Sequence, residues 1–113
     1  MTHWPADRAR ARRGSSKVAY RELGRVPDLS LGVYRLPAGA TDPQEPHSED
    51  EVYVVLAGRA RFREGRKEYP VGPGSILYVP AGARHSFREI EEELRVAVIF
   101  APAEYTHKRA RRS

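Results

Sequence analysis

Residues 39–58 read GATDPQEPHSEDEVYVVLAG, and residues 74–85 read GSILYVPAGARH. Each stretch sets a run of strand-forming residues against glycine and proline. Glu51–Leu56 is followed by Ala57-Gly58, and Ser75–Val79 is followed by Pro80-Ala81-Gly82. The same punctuation continues outward. Leu29, Leu31 and Val33 alternate with Ser30, Gly32 and Tyr34, and further short runs cover Ala60–Arg63, Glu68–Val71, His85–Arg88 and Leu94–Phe100. The breaks between them are Pro37-Ala38-Gly39, Glu64-Gly65 and Gly72-Pro73-Gly74. Glycine supplies positive φ at such turns, and proline fixes φ while withholding a ladder donor. Strands spaced by roughly 8–12 residues with these turns predict an all-β sandwich or barrel. No stretch sustains a 3.6-residue period, and Glu89–Leu94 has room for one helical turn at most.

At 113 residues and 12.8 kDa the chain is expected to form one domain around one core. It has no cysteine, which excludes disulfide frameworks, thiolate zinc sites, iron–sulfur clusters and thiol catalysis. No apolar run approaches the ~20 residues that span a bilayer, and none resembles a secretory signal. A soluble, cytoplasmic protein with no membrane partner is expected. The net charge of +5 is unevenly spread. Residues 1–17 carry five basic side chains against Asp7 (+4), residues 105–113 carry four and no acid (+4), and the remainder balances at −3. The sequence therefore divides into a flexible basic N-terminal arm (1–17), a mildly acidic β-domain (18–104) and a basic C-terminal tail (105–113). The arms hold only Trp4 and Tyr105 as aromatics and no recognition helix is visible, which argues against a dedicated nucleic-acid role.

Of four histidines, His3 and His107 lie in the arms, while His47 and His85 fall where the turn pattern is most ordered. In extended chain, residues two apart share a face, so Glu45 and His47 project together and Glu51 has the same parity. A histidine and carboxylates on one face, joined by a histidine from a later strand, can surround a divalent ion. The same residues can equally form a His–Glu hydrogen bond on a solvated strand face. Glu49, Asp50 and Glu51 would then be ordinary surface charge.

The glycine and proline spacing separates these readings, because it resembles the cupin superfamily. The first motif of that family, G-x5-H-x-H-x3–4-E-x6-G, is met by Gly39, His47, Glu51 and Gly58, with Glu45 in place of the leading histidine. The second, G-x5-P-x-G-x2-H-x3-N, is met by Gly74, Pro80, Gly82 and His85, with Glu89 in place of the final asparagine. Four glycines at about 7% each would coincide by chance with a probability on the order of 2 × 10⁻⁵. The resemblance covers 18–104 and implies a single-domain jelly-roll β-barrel.

The resemblance also implies a divalent metal held by His47, Glu51, His85 and, at the departed position, Glu45. Two histidines and a carboxylate suit Fe or Mn foremost, with Ni or Zn as alternatives. Glu45 has three readings: a fourth ligand, a catalytic general base beside the metal, or a solvent-facing residue whose place Gln44 or water takes. Parity puts Tyr53 with Glu51 and Phe87 with His85, either lining a small-molecule pocket or filling the core. Tyr34, Arg35 and Arg95 are candidates to orient an anionic substrate there. The opposite parity, Val52, Val54 and Leu56, faces a second sheet or a second subunit, and the resemblance implies a homodimer. The functional expectation is a metal-dependent enzyme (dioxygenase, isomerase, decarboxylase or cyclase in type) acting on a small organic molecule. The alternative is a non-catalytic cupin that binds or senses a small ligand.

Overall fold

Side-chain alternation decides how each strand faces. In Glu51, Tyr53 and Val55 the odd positions are buried, while Val52 and Val54 between them are half-buried on the other face. A period of two over a valine-rich run leaves a pleated strand as the arrangement that buries one whole face. The computed structural model describes residues 2–5, 17–43 and 46–106, and from Ala19 to Ala101 its regular structure is β. The strands are β1 (Ala19–Val26), β2 (Leu29–Leu36), β3 (Asp50–Glu64), β4 (Lys67–Val71), β5 (Ile76–Val79) and β6 (His85–Ala101).

All pairings are antiparallel, in the order β1-β2-β6-β3-β4, with β5 on the first half of β3. The long strands β3 and β6 each serve two layers. Their outer halves pair through Asp50↔Ala101 to Val55↔Val96, and the others through Arg61↔Arg88 to Glu64↔His85. Between these halves the register slips repeatedly from Val55 to Arg61. Such bulges increase twist and bend a strand, so one sheet folds over on itself into a jelly roll. Gly58 sits at the bend with φ of 93°, and a Cβ there would come within 2.2 Å of the Glu93 carbonyl oxygen. Ala57-Gly58, which reads as a turn, is thus a fold line inside one strand. The Glu89–Leu94 segment is likewise part of β6, with Glu89 at φ of 47°.

The two layers enclose one core of Leu36, Tyr53, Val55, Phe62, Phe87, Leu94, Val96, Val98 and Phe100, among others. Strand β1 is a sheet edge with mostly exposed side chains, and Arg21, Glu22 and Arg25 blur any alternation that would announce it. Part of the N-terminal segment is packed against it, since a Cβ on Gly24 would lie 2.9 Å from the Trp4 ring. Met1, residues 6–16 and residues 107–113, which make up most of the two basic arms, lie outside the described residues. No helix among the described residues is long and apolar enough to cross a membrane.

Candidate metal centre

The free ends of the two layers meet opposite the fold line, and buried Glu51 and His85 come together there. Glu51 enters from the start of β3 and His85 from the start of β6. His47 arrives on the loop before β3. Two hydrogen bonds lock that region to the Pro80-Ala81-Gly82 turn: Gly82 N–H donates to the His47 carbonyl (2.8 Å), and Ala81 N–H to Asp50 Oδ1 (2.8 Å). Gly82 takes φ of 80° to make that turn. The glycines and prolines that stand out in the sequence therefore clamp one histidine loop onto the other.

His47, Glu51 and His85 present ligand atoms that all lie within 4.8 Å of one another. Glu51 Oε1 is 2.8 Å from His85 Nε2 and 3.6 Å from His47 Nδ1. Its side chain is 1% exposed, yet neither carboxylate oxygen has a hydrogen-bond partner of good geometry among the described residues, and nor does His47 Nδ1. The approach to His85 is close in distance but falls outside hydrogen-bond geometry. His85 Nδ1 is 2.9 Å from the Ala83 carbonyl. In the neutral ring that contact places the proton on Nδ1 and leaves Nε2 as a lone-pair donor toward Glu51. His47 is held in the same way, with Nε2 3.1 Å from Glu104 Oε2. Histidines with one ring nitrogen anchored by a carboxylate or backbone carbonyl, and the other left free to ligate, are the usual form of metal ligands. These donors fit a divalent cation.

Without a cation, the three groups shift one another's protonation. Burial opposes a charged His47, but the carboxylates of Glu104 and Glu51 beside it outweigh that and push its pKa up to about 9. Burial likewise opposes an ionised Glu51, and its histidine neighbours overcome this, holding it down to about 2. For His85, burial acts downward while Glu51 and the Ala83 carbonyl win, so its pKa is raised. The centre is built to concentrate positive charge beside one buried carboxylate.

The other residues singled out in the sequence are distributed around this cluster. Tyr53 is fully buried with its hydroxyl 2.9 Å from His85 Nε2, and Phe87 packs edge-on against Tyr53 with ring centroids 5.2 Å apart. Tyr34 lies in the core and donates to Asp42 Oδ1 (2.7 Å), whose other oxygen accepts the Phe87 N–H. It thereby ties the loop after β2 to β6. Arg35 and Arg95 are register partners of opposite parity to Tyr34 and Leu94; Arg35 is buried at 2% exposure and Arg95 half-buried. Arg35 pairs with Glu93 at 2.6 Å and donates to the Lys17 carbonyl. Glu45 and Gln44 lie outside the described residues.

Two features escaped the sequence. Glu104 follows β6, beyond both glycine-bracketed motifs, and nothing in its flanks (Pro102-Ala103, Tyr105) advertises a site. Arg63, Arg84 and Arg88 are basic residues on separate strands and turns that converge on one open cleft of about 760 Å³, lined also by Asp42, Pro46, His85 and Ser86. Pro46 and His85 place this cleft beside the two histidines, and the pairing Arg63↔Ser86 explains how distant arginines meet.

Residues 32–102 match the cupin domain family. The chain is 46% identical over 104 residues to an uncharacterised protein of Streptomyces coelicolor, covering 92% of this chain and 99% of that protein. It is 33% identical over 73 residues to the dimethylsulfoniopropionate lyase DddQ of Ruegeria pomeroyi, covering 64% of this chain and 36% of the lyase. It therefore spans little more than a third of that enzyme. The crystal structure of the lyase superposes with a TM-score of 0.69 at 28% identity, over 74% of this chain and 46% of that one. The structure of TT1209 from Thermus thermophilus superposes with a TM-score of 0.78 at 28% identity, over 91% and 99% of the two chains. With its folded-over jelly roll, its motif glycines at the bend and the clamp, and a family match over most of the barrel, the chain belongs to the cupin superfamily.

Proposed function

We propose that this cupin is a metal-dependent enzyme acting on a small organic molecule, with the ion held by His47, Glu51 and His85. The observation that carries the reading is the buried Glu51 carboxylate. Both its oxygens lack a well-directed hydrogen bond among the described residues while two histidine nitrogens face it. Leaving a buried charge in that state is costly unless a cation completes it. Nitrogen and oxygen ligands in this ratio favour Fe or Mn, with Ni or Zn as alternatives, and Glu45 or Gln44 remains a proposed fourth contributor.

A bound divalent ion would polarise a substrate oxygen as a Lewis acid. The chain's own residues supply the rest. Tyr53 sets a hydroxyl at the His85 ligand nitrogen, a group able to pass a proton where substrate meets the centre. The Tyr53 ring packs against His85, and the Phe87 ring against Tyr53, which puts apolar surface beside the site. Arg63, Arg84 and Arg88 at the adjacent cleft favour a substrate bearing a carboxylate or phosphate. Because one relative is a lyase, elimination joins oxygenation, isomerisation, decarboxylation and cyclisation as a reaction type for this chain. We further propose a homodimer, with the apolar outer face of Val52, Val54, Ile76 and Tyr78 as its interface, and a cytoplasmic location.

The test is activity after metal removal and return. Chelator-stripped protein reloaded with Fe(II) or Mn(II) is offered a panel of small organic anions, dimethylsulfoniopropionate among them, and substrate loss is followed by NMR. Turnover in the reloaded protein and none in the stripped one supports the reading. Bound metal with every panel member left intact favours the binding or sensing role instead.

A further inference from the structure

We infer that Glu104 is a positioning residue of the metal centre: its carboxylate fixes the His47 ring in the orientation that serves the ion. The inference rests on the proposed metal site and adds to it a residue that belongs to neither cupin motif and lies beyond the family match, which ends at residue 102.

The geometry is specific. Glu104 Oε2 is 3.1 Å from His47 Nε2, and the Glu104 side chain is 9% exposed. A carboxylate against one ring nitrogen holds a proton on it and leaves the other nitrogen's lone pair free, here the one 3.6 Å from Glu51. It also makes the imidazole a stronger donor. The Phe100 ring, with its centroid 4.7 Å from that of His47, limits rotation from a second side.

The backbone around Glu104 is itself fixed from four parts of the chain. Glu104 N–H donates to Ser30 Oγ at 2.8 Å, and its carbonyl accepts from Arg25 Nη1 at 2.8 Å. Ala103 N–H donates to the Pro27 carbonyl at 3.2 Å. Tyr105 N–H donates to Oε1 of Glu49 at 2.8 Å, a carboxylate that is also buried and is bonded by Ser48 Oγ. A segment after the last strand needs none of this to close the barrel. Its anchoring delivers one carboxylate to one ligand nitrogen, through backbone groups that survive replacement of the Glu104 side chain.

The test titrates the full-length, metal-free protein with Mn(II), by calorimetry or against a competing chelator. Glu104→Ala should weaken binding by about 10–100-fold, the loss typical when the partner of a ligating histidine is removed. Glu104→Gln keeps an acceptor oxygen in place and should recover part of that loss. Arg25→Ala, which removes a grip on the segment but not the carboxylate, should bind nearly as wild type does. Equal affinity in Glu104→Ala and wild type would overturn the inference. So would an Arg25→Ala loss as large as that of Glu104→Ala, since the segment would then matter only as structure. Failure of the wild type itself to bind any metal would strike instead at the metal reading beneath it.

Discussion

His47 and Glu51 show how one buried pair makes the metal-free protein sensitive to pH in both directions. The His47 pKa is raised from 6.5 to about 9, so its stabilising contribution is complete below 6.5 and is lost as pH rises through 9. The Glu51 pKa is lowered from 4.5 to about 2, so its contribution is present above 4.5 and is lost as pH falls through 2. The urea midpoint of the metal-free protein should therefore peak between pH 4.5 and 6.5 and decline toward 9. His47→Ala should flatten the alkaline limb, and an alkaline limb unchanged by that substitution would contradict the assignment. His47, Glu51 and His85 were legible because glycine and proline spacing marks them from outside, and the clamp built on Gly82 brings them together. Glu104 was not legible, since its role depends on where the chain returns after β6. The basic cleft escaped for a related reason. Cross-strand register, which sequence does not display, sets Arg63 opposite Ser86, two residues from Arg88.

At the scale of elements, the strands were readable wherever one face is buried. The runs around Glu51–Leu56, Ser75–Val79 and Leu94–Phe100 lie in β3, β5 and β6. What local reading divided, long-range pairing joined. Ala57-Gly58 carries the signal of a turn, but Gly58 permits the bend in β3 by letting the Glu93 carbonyl approach. Strand β1 was missed because a sheet edge has no buried face to impose alternation. Gly58 yields a direct prediction. Alanine there must hold φ near 93° and meet a carbonyl at 2.2 Å, so Gly58→Ala should cost at least ~2 kcal/mol through strain and displacement. Denaturant unfolding should show the midpoint lowered at constant slope. A cost below ~0.5 kcal/mol would mean that the bend does not depend on this close approach.

For the molecule as a whole, the sheet has an apolar face to spare. Val52 pairs with Tyr78 and Val54 with Ile76, and the latter two are 59% and 71% exposed, an unusual display for a small monomer. Sedimentation velocity should find the wild type dimeric at micromolar concentration and the double variant Ile76→Asp, Tyr78→Asp monomeric. A monomeric wild type would rule the dimer out. The proposed metal site lies on the other face of the same sheet, where the barrel interior gathers two histidines and one carboxylate. Its most direct test is elemental analysis of the purified protein beside His85→Ala, both prepared without chelator. About one equivalent of Fe, Mn, Ni or Zn per wild-type chain, and close to none in the variant, is the expected result. A wild type without metal, or a variant that keeps it in full, would contradict the claim.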